Sequence, residues 1–443
     1  MEDEAEISQP PDIHKERNSQ IPNTLRKARY HQMRSPSPVT KNPYIYNERA
    51  YEPNVISIGP YHHGHERLQR MEATKLSCFL NIFNKDNSVA DKLVRTIERL
   101  EAQVRQCYEE PSDLESDEFV EMVVYDGCFI VHLIYGDDFD QKDIFKEKGI
   151  VSEIMADLLL LENQLPFFVL LELNHILTER NARQFARRTV SLFNKTFSFH
   201  LFYYGILDKE YFMHLLELVH SCYHPSFLGL KQHREFQARE PTYQRPMKFI
   251  GSATELDDVG IGFFGDTIQD MKHLKQEIQT GFDILFTKDT KVLMIPTLRV
   301  DDMIECRLRN YIAYEQFIPS GEPTYFTDFV LLMDNLINTS KDVQLLRNSG
   351  IIENWLGDDE AVAQMFNKLH HSVFMGKYFY YAEVFGRVNE HRQKRWNRWK
   401  TALKKNHFNT PWLFIPFLAA TVLLLLTIVQ TIFSLLSYCS KKN

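Results

Sequence analysis

Between Leu413 and Ser437 the chain carries no charged residue. The middle of this run reads Phe417-Leu418-Ala419-Ala420-Thr421-Val422, then leucine from Leu423 to Leu426, then Thr427-Ile428-Val429. As one helix, such a run would extend roughly 37 Å at about 1.5 Å per residue, against a hydrocarbon core of about 30 Å. It therefore predicts a transmembrane helix over 411–438, anchored by Trp412, Leu413, Leu424 and Tyr438, with the two aromatics at the interfaces. Pro416 would fall in the first turn, where its missing N–H costs little.

The flanks predict an orientation. Arg392, Lys394, Arg395, Arg398, Lys400, Lys404 and Lys405 precede the run, and only Lys441 and Lys442 follow it. The excess of positive charge on the N-terminal side places the body in the cytoplasm. The first residues include Glu2, Asp3, Glu4 and Glu6, with no apolar stretch of signal-peptide length after them. The expectation is a single-pass tail anchor, with 439–443 as a short tail on the far side. A lipid-anchor signal is disfavoured, because no small-residue site with a polar spacer precedes the apolar run. Within 391–410, Trp396, Trp399 and Leu403 share one helical face among basic residues. That pattern suits a juxtamembrane helix on an anionic lipid surface, with Trp396, Trp399, Lys404 and Lys405 at the contact; a basic face packed on the body fits it equally. The Asn194 and Asn338 sequons would carry glycan only if the body were lumenal.

At the other end, 1–41 is polar and punctuated by Pro10, Pro11, Pro36 and Pro38. Such a segment buries too little apolar surface to offset its ordering entropy, so it is expected to be disordered. The formal net charge of −8 argues against a nucleic-acid binder. The six cysteines include no CxxC pair, which excludes a zinc ribbon or a thioredoxin-type centre.

The body, 42–390, is expected to be mainly α. Leu93, Ile97, Leu100, Val104 and Cys107 repeat at 4,3,4,3 spacing, an amphipathic stripe. Phe119–Tyr135 is apolar on most sides, as a buried helix is. Ile154–Leu173 reads as a helix bent at Pro166, and Tyr211–Cys222 as another ended by Pro225. Residues 229–250 are charged and prolyl, a subdomain break or loop. Phe282–Ile295 alternates about a Lys288–Lys291 turn, a small β-hairpin. Asp301 or Asp302 would cap a helix to about Phe317, Tyr325–Ile337 forms the next, and Gly350 suits a C-cap. Asp358 would cap a last long helix from about Asp359 towards Arg387.

Several segments carry potential chemistry. Gly260–Gly265 matches GxGxxG, but a dinucleotide site needs a strand before it and a helix after it, and here an acidic stretch comes first, so no cofactor is expected. Ile58-Gly59-Pro60-Tyr61-His62-His63-Gly64-His65 places three imidazoles in four residues. His62 and His63 could serve acid–base or metal chemistry, although adjacent imidazoles diverge and the glycines and proline also make a turn, so no metal site is assigned. Leu161-Glu162-Asn163-Gln164-Leu165-Pro166 sets polar side chains in an apolar helix. Glu162 is then either a member of a network tying helices together or a carboxylate with a raised pKa. Asp126 has the same two readings. Asp301-Asp302 reads as a cap and Glu315-Gln316 as a helix end.

Taken together and in order, six segments resemble the plant family of "domain of unknown function 247". They are Ile58–Gly64, Met71–Lys75, Tyr125–Phe129, Leu160–Phe168, Ser252–Leu256, and Ile295-Pro296 with Asn310–Gln316. The apolar run after Asn409-Thr410-Pro411-Trp412 fits as well, so the likeness covers about residue 44 onward. The resemblance implies a plant-specific protein, usually ending in one membrane helix, with no established enzymatic activity; some members are associated with self-incompatibility recognition in grasses. The expectation is a membrane-anchored protein that binds membrane lipid and an unidentified protein partner, not nucleic acid. The alternative is a membrane-bound enzyme using His62, His63, Asp126 and Glu162.

Overall fold

The computed structural model describes residues 48–136, 148–197, 212–223, 249–267, 270–271, 280–317, 324–369, 379–393, 419 and 422–431. The chain divides into two compact units. One holds the described residues from Tyr51 to Val219, the other Glu48–Ala50 and those from His220 on.

The first unit is helical: α1 Gln69–Lys85, α2 Asn87–Arg105, α3 Ser116–Ile134, α4 Lys148–Asp157, α5 Phe167–Thr178, α6 Ala182–Phe197 and the start of α7 Leu215–Ser221. A single residue separates α1 from α2. Asp86 is extended, and its carboxylate accepts from Ser88 N–H at 2.8 Å, capping α2. The stripe on α2 is borne out, with Leu93, Ile97 and Val104 buried. Helix α3 is apolar nearly all round because α1, α2 and α5 all pack on it. A Cβ on Gly127 would lie 2.2 Å from Leu173 Cδ1, so the glycine sets how closely α3 and α5 approach.

The bent helix expected over Ile154–Leu173 is not formed. Helix α4 ends at Asp157, and Pro166 is the N-cap residue of α5 instead of an interior kink. Residues 158–166 between them are buried yet not helical. The Gln164 amide explains the break. It donates to Leu158 O at 2.7 Å and Leu160 O at 2.8 Å, fixing those carbonyls outside a helical ladder.

The second unit contains α8 Ala253–Asp258, β1 Gly262–Phe264, β2 Leu285–Thr287, β3 Val292–Met294, β4 Leu298–Val300, α9 Ile304–Phe317, α10 Tyr325–Leu336, α11 Ser340–Asn348, β5 Ile352–Asn354, α12 Asp359–Leu369 and α13 Ala382–Gln393. The expected hairpin is present as β2–β3, with Phe286 opposite Leu293. It is part of a three-stranded sheet, because β1 adds to β3 in parallel. Strands β4 and β5 form a second, parallel pair. The long last helix is instead two, α12 and α13. Residues 379–381, just before α13, are not helical, and the backbone N–H of Tyr380 donates to Asp328 Oδ2 on α10 at 2.7 Å.

The C-terminal expectation is corrected. Among the described residues no helix is long and apolar enough to cross a membrane. Of the run expected to span, residue 419 and residues 422–431 are described as helix, and the rest lies outside the described residues. A crossing takes about 20 consecutive apolar residues of helix to cover roughly 30 Å. Leu424 lies in this helix and is exposed. Trp412, Leu413, Tyr438, Trp396, Trp399, Lys404 and Lys405 lie outside the described residues, as do the N-terminal segment 1–41 and most of 229–250.

Candidate functional site

The site in the first unit begins with six residues that have no strand beside them. Between Asn54 and Gly59 the backbone is held almost wholly by side chains. Asp157, at the end of α4, accepts from Asn54 N–H at 2.9 Å, Val55 N–H at 2.7 Å and Ile56 N–H at 2.9 Å. Asn163 accepts from Ile58 N–H at 2.6 Å and donates to Ile56 O at 3.0 Å. Asp126, on α3, accepts from Gly59 N–H at 2.8 Å. Lys75, on α1, donates to Ser57 O at 2.6 Å. Each backbone group satisfied in this way would otherwise cost about 1–3 kcal/mol on burial.

Lys75 is the hub. Its ammonium lies 2.6 Å from Asp126 Oδ1 and 2.6 Å from Glu72 Oε1, and neither Lys75 nor Asp126 reaches solvent. Ser57 Oγ in turn donates to Glu72 Oε1 at 2.8 Å. Burial pushes the Asp126 carboxyl up, while the Lys75 ammonium and the Gly59 N–H pull it back. Burial also raises Asp157, to about 6, against the opposing pull of its three backbone donors. Lys75 has three N–H donors, and Asp126, Glu72 and Ser57 O occupy them. An ammonium so engaged holds geometry; it presents no lone pair for nucleophilic or base chemistry.

Gly59 completes the turn. Its φ is +74°, and a Cβ there would stand 2.8 Å from Gln164 O and 2.9 Å from Tyr108 Oη. Tyr108 Oη donates to that same Gln164 carbonyl at 3.0 Å. Beyond the turn, His62 is buried with its ring edge-on to His65 at 5.8 Å, and His63 is half-buried. Glu162 is buried beside Asn163 in sequence. Among the described residues no three of His, Cys, Asp and Glu gather as metal ligands would. Of the four residues nominated from sequence, Asp126 is joined directly to the turn that leads into His62 and His63.

A second buried carboxylate organises the second unit. Glu315, near the end of α9, accepts from Phe326 N–H at 2.9 Å and Thr327 N–H at 2.8 Å. These are free donors of the first turn of α10, where negative charge is favoured. His220 Nε2 lies 3.1 Å from the same carboxylate, with its ring against Tyr314 and Phe326. Asp342 accepts from Thr254 N–H at 2.9 Å, tying α11 to α8, whose N-cap is Ser252.

The glycine pattern also has a packing explanation. Helix α8 precedes it and β1 falls inside it, the reverse of a dinucleotide fold. A Cβ on Gly265 would meet Ile351 N at 2.6 Å, and one on Gly350 would meet Gly265 O at 2.4 Å. Two backbones touch there. Gly350 is also the expected turn residue after α11, at φ +77°.

Sequence reasoning did not single out Lys75, Ser57, Asp157, His220 or Asp342. Lys75 stands at helical spacing from Met71 and Cys78, all three buried on one face of α1. A lysine on an apolar face was the available signal. Glu315, read as a helix end, does lie near the end of α9, and it also holds the next helix.

The polar residues in most of the six resembling segments are those that bind backbone: Asp126, Asn163, Ser252, Asn310 and Glu315, with Lys75 in the second. A search over known families agrees with them. The model of a family described as "Plant protein of unknown function" matches residues 38–426. The Arabidopsis thaliana protein named "UPF0481 protein At3g47200" is 32% identical over 427 residues, covering 90% of this chain and 85% of the relative. "Putative UPF0481 protein At3g02645", also from Arabidopsis thaliana, is 22% identical over 462 residues, covering 87% of each. No solved structure matches the chain. With nearly its whole length matched, the chain belongs to the plant family of "domain of unknown function 247" (DUF247).

Proposed function

We propose that this chain acts by binding another protein. The observation that supports this reading is on α1. Leu76, Leu80 and Phe83 are exposed, and with Ala73 they repeat at 3,4,3 spacing along one face. Met71, Lys75 and Cys78 occupy the buried face of the same helix. The spacing is that of a helix–helix seam, and the exposed polar residue within it, Ser77, is uncharged. The partner element that fits is an amphipathic helix offering its own apolar stripe.

Affinity purification of the full chain from plant tissue, beside a Leu76→Ser/Leu80→Ser/Phe83→Ser variant, tests this. The expected outcome is a defined set of co-purifying proteins that the variant loses while its melting temperature is unchanged. The same set recovered with both chains would overturn the reading.

A further inference from the structure

The second unit carries an aromatic side chain that its own fold holds in place yet leaves in water. Strands β4 and β5 run parallel with Val300 opposite Asn354, and the ladder continues one step, Trp355 N–H donating to Val300 O at 2.9 Å. Both strands therefore end on the same side. Trp355 leaves β5 there with 58% of its surface exposed. It is not loose. The Arg299 guanidinium sits 3.6 Å from the indole centroid, covering one face and fixing the ring. Exposed tryptophan is the side chain most enriched at the energetic centres of interfaces.

The charge around the ring states what kind of partner fits. Residues 299–302 and 353–360 hold the carboxylates Asp301, Asp302, Glu353, Asp358, Asp359 and Glu360 against one cation, Arg299. Asp359 is engaged with Arg347 and Asn354, and Asp301 with Arg307. Asp302, Glu353, Asp358 and Glu360 are exposed. An exposed aromatic face at strand ends followed by an excess of exposed carboxylates attracts a cation that also has an apolar stem, which is the chemistry of lysine and arginine.

We propose that Trp355 and the exposed carboxylates of the neighbouring segments dock a basic segment of a protein partner, with a Lys or Arg side chain laid on the indole. This rests on the protein-binding reading but concerns residues other than those of the stripe on α1. Arg299 then has a positioning role: it holds the ring in the orientation that receives the incoming cation.

The test uses the purified full chain and fluorescently labelled decapeptides, one rich in Lys and Arg, one rich in Glu, read by anisotropy. The basic peptide should bind, with affinity falling as salt rises, and the acidic one should not. Trp355→Ala should weaken binding at least tenfold and Trp355→Phe less. Asp302→Asn with Glu353→Gln should weaken it several-fold and flatten the salt dependence. All three are surface changes, and unchanged melting temperatures serve as the control. Equal binding of both peptides, or basic-peptide binding unaffected by Trp355→Ala, would overturn the proposal. Neither result depends on the Leu76/Leu80/Phe83 variant, so failure here and failure of the α1 stripe are told apart.

Discussion

Asn163 gives the backbone around Ile58 the pairing that a neighbouring strand would give. Its Oδ1 accepts from Ile58 N–H at 2.6 Å, and its Nδ2 donates to Ile56 O and to Asp157 O at 3.0 Å each. One amide thus satisfies three buried backbone groups. Truncation by Asn163→Ala should cost about 4 kcal/mol, since each orphaned group carries a penalty of about 1–3 kcal/mol. Urea denaturation would read this directly. A loss below about 1 kcal/mol would mean that water replaces the amide.

The Lys75–Asp126 pair makes a second prediction. Removing one member strands a charge in the interior, so Lys75→Met and Asp126→Asn should each destabilise by about 3–5 kcal/mol. The double variant should lose much less than the sum of the singles, because neither charge is then left alone. Strict additivity in a double-mutant cycle would show that the two side chains do not act as a pair.

Gly59 should resist substitution. A Cβ would meet two atoms fixed to each other, the Gln164 carbonyl and the Tyr108 hydroxyl, at a φ of +74°. Strain from φ and overlap together should make Gly59→Ala cost about 2–4 kcal/mol in chemical denaturation. Gly64, also at positive φ, has nothing within 4 Å of a Cβ, so Gly64→Ala should cost about 1 kcal/mol from backbone strain alone.

Asp157 gives a pH dependence with a definite sign. Its folded pKa of about 6 stands above the ordinary aspartate value of about 3.9. The folded state therefore holds the proton more tightly than the unfolded state. The contribution is fully present below pH 4 or so and is lost as pH rises through about 6, amounting to about 3 kcal/mol by linkage. Asp157→Asn cannot ionise. The stability of the wild type minus that of the variant should fall by about that amount between pH 4 and pH 7. A difference that rises over the same range would contradict the assignment.

In the second unit, Glu315→Gln keeps the shape but removes the negative charge at the start of α10. The expected loss is about 1–2 kcal/mol, part from the helix terminus and part from His220. Thermal melts at neutral pH would measure it, and an unchanged melting temperature would deny Glu315 that role.

Much of the helical body was legible in the sequence because its pattern is local. The stripe on α2, the buried α3 and the β2–β3 hairpin each follow from spacing within one segment, and there periodicity and burial agree. The polar side chains around Ile58 were visible as intruders among apolar residues, and a network was one of their two readings. Their partners were not visible. Asn163 and Ile58 are separated by 105 positions, and Asp126 and Gly59 by 67, so no local pattern connects them.

The same distinction governs what failed. A bent helix through Pro166 was the local solution, but Gln164 bonds to backbone that only the folded chain places nearby. The uncharged run at the C-terminus predicts a span by its composition, and no described helix is long and apolar enough to be one. Sequence by itself set the helical class and the family; tertiary structure decided that the carboxylates and Lys75 hold backbone. Hydrophobic period is a property of neighbours along the chain, whereas the partner of a buried charge is a property of neighbours in space.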